Sequence, residues 1–223
     1  MEEMIKKLKI SILVDSDEIW YNKYLNDLLI GLKKLGHQVI LVTKQDYITG
    51  GDICFILSCI NIIPETTLAK NKNNIVIHAS DLPKGRGWSP MSWQILDGKD
   101  EIPLSLFEAR NEVDSGKVYI KDNIKLNGNE LIGESREKLA RKVNDMAISF
   151  VKDYPMNGEE QKGKPSFYSR RRPKDSELDI NKTIKEQFNL LRIVDNENYP
   201  AFFTHKDKKY IIKIRQEDTT QSS

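Results

Sequence analysis

KISILVDSDEIWYNKYLNDLLIGLKKLGHQVILV, residues 9–42, is the stretch whose reading decides the fold. Lys9-Ile10-Ser11-Ile12-Leu13-Val14 is short and apolar enough to be a buried parallel strand. Asp15, Ser16 or Asp17 can cap the helix that follows. Trp20, Tyr24, Leu25, Leu28, Leu29, Leu32 and Leu35 fall at three- and four-residue steps, one face of a 3.6-residue period. Gly36 is placed to end that helix in the left-handed C-terminal role, and Gln38-Val39-Ile40-Leu41-Val42 reads as a second strand. Strand, amphipathic helix and strand in so short a span predict a right-handed βαβ unit. The fold class is therefore α/β, opening a doubly wound and mostly parallel sheet.

Working outward, Gly50-Gly51-Asp52 is a turn and Asp52 to Leu57 a third buried strand. Pro64 opens a short helix to Lys70, with proline in its favoured first turn. Asn71 to Asn74 reads as a polar turn, and Ile75-Val76-Ile77-His78 as a fourth strand. Pro90 to Leu96 is a helix, and residues 102–108 and 116–121 are strands. A long helix is expected from Asn127, where Asn127 and Glu130 have capping-box spacing, with Leu131, Leu139, Val143, Met146 and Phe150 as its buried stripe. Residues 154–164 read as a loop, residues 181–190 as a short helix, and AFFT–HKDKK–YIIKI as a hairpin.

Composition narrows the function classes. The 223 residues are 39% apolar and 30% charged, with no run long enough to span a bilayer as a helix. The opening MEEMIKKLKI lacks the apolar core of a secretory leader, so the cytoplasm is the expected location. A net charge of +2 is too balanced to point to nucleic acid or a membrane surface as the main partner. Two cysteines, Cys54 and Cys59, exclude a disulfide scaffold and a four-cysteine zinc site, and no other ligand cluster suggests a metal. Both read as small apolar residues, and His37 and His205 as solvent-facing turn residues.

Ligands of open parallel sheets bind outside the carboxyl ends of the strands. His78 stands at such an end, and the loop ASDLPKGRGWSP after it is too rich in turn formers to be core. Further along, Asp114-Ser115-Gly116 places a carboxylate between small residues in a second loop. A histidine and an aspartate on two adjacent strand-end loops can orient and charge each other, the minimum for general acid–base chemistry. From periodicity alone, His78 is equally readable as a satisfied structural histidine and Asp114 as an ordinary turn residue.

HASDLPKGRGWSP followed by EVDSG resembles the signature of the 10-formyltetrahydrofolate-dependent formyltransferases, a superfamily acting on methionyl-tRNA, glycinamide ribonucleotide and amino sugars. That signature runs Asn-x-His-x-Ser-x-Leu-Pro, a glycine-rich loop, then Asp-x-Gly. Phe167 to Asp175 resembles the family's later Arg-x-Pro-x-Asp segment, and Leu191-Arg192 with Tyr199-Pro200-Ala201-Phe202 resembles its closing pieces. The likeness covers roughly residues 50–214, most like the short bacterial sugar N-formyltransferases of pseudaminic acid biosynthesis. It implies a Rossmann-like sheet with a shortened N-terminal half and a small C-terminal helix and hairpin. With the composition shift at 154–164 and the polar end QEDTTQSS, the chain is expected to divide into a catalytic core (1–153), an extension packed on that core (154–215) and a disordered tail (216–223).

The resemblance implies formyl transfer from 10-formyltetrahydrofolate, without a metal, to the 4-amino group of a nucleotide-linked amino-dideoxy sugar. A UDP-linked 4-amino-4,6-dideoxy sugar derived from N-acetyl-altrosamine is favoured. It makes His78 and Asp114 catalytic, with Ser80 fixing the loop. Leu82, Pro83 and the backbone of Asn111, Glu112 and Val113 would hold the pterin, and Lys84, Arg86, Trp88 and Arg170 would meet the sugar nucleotide. The protein is expected as a monomer or homodimer with no nucleic acid or membrane partner. A non-sugar amine, as in methionyl-tRNA, is the alternative substrate, and an impaired folate- or nucleotide-binding protein the alternative role. One position departs from the pattern: Val76 stands where the family has its catalytic asparagine. Asn74 shares that strand face but lies ~13 Å from His78. Ser58 and Asn61, beyond the neighbouring strand, are the candidate replacements, with protonated His78 as the other source of a donor.

Overall fold

The computed structural model describes residues 7–15 and 20–217. β1 (Lys9–Leu13) and β2 (Gln38–Val42) pair in parallel and are joined by α1 (Asn22–Lys34). Gly36 follows α1 at φ +88°, a conformation that costs glycine little. At the start of α1, Tyr21 stands in the N-cap position, and no side chain among the described residues caps the helix. Asp15 instead accepts the amides of Ile60 and Asn61 at 2.6 and 2.7 Å, tying β1 to a neighbouring loop. Ser16 and Asp17 lie outside the described residues.

β3 (Gly51–Ile56) leads to α2 (Glu65–Leu68), which Pro64 precedes as N-cap instead of lying in its first turn. β4 (Asn71–His78) begins four residues earlier than expected, because Asn71 to Asn74 are strand and not turn. Their polarity is absorbed by local and distant partners: Asn73 donates to the Glu108 carboxylate at 2.8 Å and accepts from the Tyr154 hydroxyl at 2.9 Å. Asn74 is 6% exposed, donates to the Leu68 carbonyl at 2.9 Å, and accepts from the Asn71 amide group at 3.1 Å. β5 (Arg86–Gly87), α3 (Pro90–Leu96), β6 (Glu101–Glu108), β7 (Val118–Lys125) and α4 (Ile132–Lys152) follow. The Asn127–Glu130 contact exists at 2.7 Å but closes the turn before α4. The helix itself starts later, where Glu134 accepts the Leu131 amide at 3.0 Å. The chain then forms β8 (Phe167–Tyr168), α5 (Phe188–Ile193), β9 (Ala201–His205) and β10 (Lys208–Ile212). The helix expected over 181–190 is displaced to α5, after a single 3-10 turn at Lys185–Gln187.

The central sheet has the order β2-β1-β3-β4-β6-β7, and only β6 runs against its neighbours. The architecture is the α/β fold the sequence predicts. Leu25, Leu28 and Leu32 of α1 and Val143, Met146 and Phe150 of α4 bury one sheet face with Ile12, Phe55, Ile75 and Leu104. Each such side chain contributes roughly 1.5–3 kcal/mol. The opposite face carries a smaller apolar cluster of Leu13, Val42, Ile48, Cys54, Ile56, Ile63 and Leu68. His37, expected in solvent, is buried, and its Nδ1 accepts the Leu8 amide at 3.3 Å. Among the described residues no helix is long and apolar enough to cross a membrane.

The C-terminal segment is tied to the core by one buried ion pair. Arg192 of α5 is 2% exposed and donates to the Glu130 carboxylate at 3.0 Å and to its carbonyl oxygen at 3.1 Å. Glu130 also accepts from Lys138 at 2.6 Å and from the amides of Asn127 and Gly128. Burial alone would raise the Glu130 pKa, but Lys138 and the backbone amides outweigh it and hold the carboxyl at about 2. A depressed carboxylate contributes stability above its unfolded pKa, near 4.3, and loses it as pH falls toward the folded value. Replacing Glu130 by Gln leaves the buried Arg192 with only the exposed Asp100 carboxylate, 3.9 Å away, and is expected to cost roughly 3 kcal/mol in urea unfolding. The variant's stability should also fall less steeply than the native protein's between about pH 4.5 and 2.

Candidate active site

Strand side chains alternate between faces, so Asn74, Val76 and His78 share the face bearing Leu13, Cys54 and Ile56. After His78 the chain turns back, and β5 pairs in parallel with β8. Ser166 secures this short ladder from three sides. Its hydroxyl accepts the Gly85 amide at 2.9 Å, its carbonyl the Arg86 amide at 2.9 Å, and its own amide donates to the Pro83 carbonyl at 3.3 Å. Trp88 donates its amide to the Tyr168 carbonyl at 3.1 Å. Gly87 lies at φ +97°, and a Cβ there would sit 2.5 Å from that carbonyl oxygen, so only glycine fits.

His78 and Asp114 meet across this glycine loop. Their side chains are 10% and 13% exposed, and His78 Nε2 lies 3.7 Å from Asp114 Oδ2. Nε2 also lies 2.8 Å from the Gly85 carbonyl oxygen. A carbonyl only accepts, so Nε2 carries a hydrogen in this arrangement. The Gly87 amide donates to Asp114 Oδ2 at 2.8 Å. The loop thus holds both members of the pair, one by a carbonyl and the other by an amide.

Asp114 arrives by a route the sequence reading did not foresee. Because β6 is antiparallel to β4, Ser105 lies opposite His78 and Glu108 opposite Ile75. The chain leaves β6 some 10 Å below the strand end, and residues 109–117 fold back up the face. The expectation of two adjacent strand-end loops is corrected accordingly. The fold-back needs Gly116, where a Cβ would fall 1.7 Å from the Glu108 carbonyl oxygen. Asp114 itself takes φ +53°, a region aspartate tolerates better than most residues.

The other expected site residues divide. Ser80 is 2% exposed, and its carbonyl accepts the Ser105 hydroxyl at 2.8 Å, so it anchors the loop through its backbone. Leu82 and Pro83 are buried, with the Leu82 amide on Ser105 Oγ at 3.3 Å. They form the inside of the loop and are not an open wall. Asn111 donates to Glu65 at 3.0 Å, and Val113 is exposed. Arg86, expected to meet substrate phosphate, is 7% exposed, with Nη1 on Glu112 at 2.9 Å and Nη2 on Gln161 at 2.8 Å. Both Nη groups are committed within the protein, so in this arrangement they are not presented to a substrate phosphate. Lys84 is exposed, and Arg170 lies 5.0 Å from the half-open Trp88 ring. Arg171 turns inward and donates to the Asp175 carbonyl at 3.0 Å, and burial lowers its pKa.

Val76 packs with Cys59 and Ala109 against the smaller apolar cluster. Burial pushes the Cys59 thiol up to about 12, so it is no nucleophile. Asn61 is not brought to the site, since its amide group donates to Asp15 at 3.0 Å. Ser58 is exposed, at φ +53°. Ser105, Gln161 and Ser166 are the residues the sequence reading missed. Gln161 stands in a loop with no periodicity, and its partners lie more than forty residues away. The only available signal was the resemblance that begins nearby at Phe167.

Comparison with known proteins bears on the family and the fold. Residues 37–151, just over half of the chain, match the family model described as formyl transferase. The methionyl-tRNA formyltransferase of Streptococcus gordonii is 28% identical over 135 residues, covering 58% of this chain and 43% of that protein. The chain thus spans less than half the length of this relative. Two solved structures share the fold. Methionyl-tRNA formyltransferase from Clostridium thermocellum has a TM-score of 0.80 at 18% identity, covering 96% of both chains. A sugar N-formyltransferase from Shewanella sp. has a TM-score of 0.66 at 16% identity, covering 96% of this chain and 99% of that one. With the family model matched across strands β2 to β7 and the His78–Asp114 pair inside the matched stretch, the chain belongs to the formyl transferase family.

Proposed function

We propose that this chain transfers a formyl group from 10-formyltetrahydrofolate to the 4-amino group of a nucleotide-linked amino-dideoxy sugar. The favoured acceptor is UDP-4-amino-4,6-dideoxy-N-acetyl-altrosamine of the pseudaminic acid pathway. The observation that carries formyl transfer is the nearly buried His78–Asp114 pair in the matched family region. A sugar nucleotide is supported by the Arg170–Trp88 stack with exposed Lys84 on the loop beside the pair, a planar surface and a cation suited to a base and a phosphate. A net charge of +2 offers little of the positive field that a large RNA calls for. Methionyl-tRNA is the second reading, favoured by the relatives and structure described above.

The residues present fit a folate donor. Half-buried Val76, Cys59 and Ala109 offer apolar surface on the catalytic face, and residues 111–113, exposed in the loop that carries Asp114, offer polar groups. The folate supplies the formyl group as an activated amide. His78 Nε2, already carrying a hydrogen, is suited to donate to the formyl oxygen as charge develops there, once that oxygen displaces the Gly85 carbonyl. Asp114 orients the imidazole, and the pair passes the amine's proton to the departing nitrogen. One carbon–nitrogen bond forms, one breaks, and the proton ends on the leaving group.

The test is formylated product from 10-formyltetrahydrofolate with a panel of UDP- and dTDP-linked 4-amino sugars, read by mass spectrometry, with initiator methionyl-tRNA in parallel. Product with a sugar nucleotide is expected. Product only with the tRNA would replace this reading by the second. His78→Ala and Asp114→Asn are each expected to lower kcat by about 10²–10⁴-fold with unchanged circular dichroism. Near-native turnover in either would remove its assigned role. Val76→Asn is expected to lose roughly 1–3 kcal/mol and gain no rate, because its amide would enter an apolar cluster without a partner. A large rise in kcat at unchanged Tm would mean instead that the valine is an uncompensated loss.

A further inference from the structure

Gln161 joins three parts of the site that the mechanism needs held together. Its Nε2 donates to the carbonyl oxygens of Asp114 at 2.8 Å and Gly116 at 2.9 Å. Its Oε1 accepts from Arg86 Nη2 at 2.8 Å. Both amide hydrogens and the amide oxygen are thereby used. Asp114 and Gly116 bracket the left-handed turn that aims the carboxylate, and Arg86 stands between Gly85, which holds His78, and Gly87, which holds Asp114. Gln161 itself lies on the segment between α4 and β8, which is anchored by paired backbone bonds between Glu159 and Val118 at 2.8 and 2.9 Å. No group of Gln161 reaches His78, so it acts only through others.

We propose that Gln161 is a positioning residue that fixes the distance and direction of the Asp114 carboxylate relative to His78. The proposal rests on the formyl-transfer reading of that pair. A turn with a left-handed aspartate has alternatives of lower backbone energy, and two carbonyls pinned by one amide group remove them. Misplacing a catalytic group by about 1 Å can cost about a hundredfold in rate, whereas the backbones of Trp88 and Lys84 are held by Tyr168 and Asp81 and not by Gln161.

The Gly87 amide provides a readout that needs no substrate. It donates to Asp114, whereas its neighbours Arg86 and Trp88 donate to β8 and its flank. In Gln161→Met, which keeps length and loses every hydrogen bond, Gly87 amide exchange measured by NMR should quicken at least tenfold, with Arg86 and Trp88 unchanged. kcat should fall about ten- to a hundredfold with KM values within about threefold of native. Gln161→Glu keeps an acceptor for Arg86 but loses both donors, and should behave like the Met variant. Native exchange at Gly87 in the Met variant would overturn the proposal. So would equal quickening at Arg86 and Trp88, which marks a merely structural strap, or native behaviour in the Glu variant. A native chain that formylates no amino sugar would overturn the substrate assignment alone, because the exchange measurement decides Gln161 by itself.

Discussion

The two-residue ladder between β5 and β8 is the constraint on which the site depends. A glycine loop after a strand is ordinarily mobile, since glycine loses the most backbone freedom on ordering. Here Ser166 and Tyr168 take up its backbone groups and leave the Gly85 carbonyl and Gly87 amide free to face the other way, toward His78 and Asp114. The loop is held on one side so that it can hold the catalytic pair on the other. Close approach of the two backbones is possible because neither glycine brings a Cβ to the Tyr168 side.

A second constraint comes from the direction of β6. Were it parallel to β4, the loop after it would open at the His78 end and Asp114 could arrive directly. Being antiparallel, it delivers the chain at the wrong height, and nine residues must climb back across the face. That climb covers part of the thinly packed side of the sheet, with Ala109 joining the apolar cluster that also receives Val76. Val76, the one position that departs from the resemblance, is thus part of an apolar contact, and the site's polar groups are gathered around the imidazole instead.

The extension beyond residue 154 serves the site and the core at once. Its first part supplies Gln161 and Ser166, and its later part returns to seat Arg192 against Glu130 beside the entry to α4. Between them, Arg170 reaches the Trp88 ring. A charged pair this deep gains little net stability over an apolar equivalent, but breaking it on one side is costly.

The βαβ opening, the buried strands, α3 to the residue and the C-terminal hairpin were legible in the sequence, because apolar period and glycine and proline placement are local signals. So were His78 and Asp114 as candidates, by residue type and loop context with the resemblance. Polar residues misled where their partners were distant or unexpected: Asn71 to Asn74 looked like a turn until Leu68, Glu108 and Tyr154 satisfied the asparagines. Arg86 looked like a substrate ligand until Glu112 and Gln161 claimed it. Whether a charged or amide side chain serves the solvent, a ligand or the protein depends on which groups the fold places within hydrogen-bonding reach. Those groups come from segments tens of residues apart, so residue type and spacing could nominate the chemistry while only the tertiary structure assigned each polar group its partner.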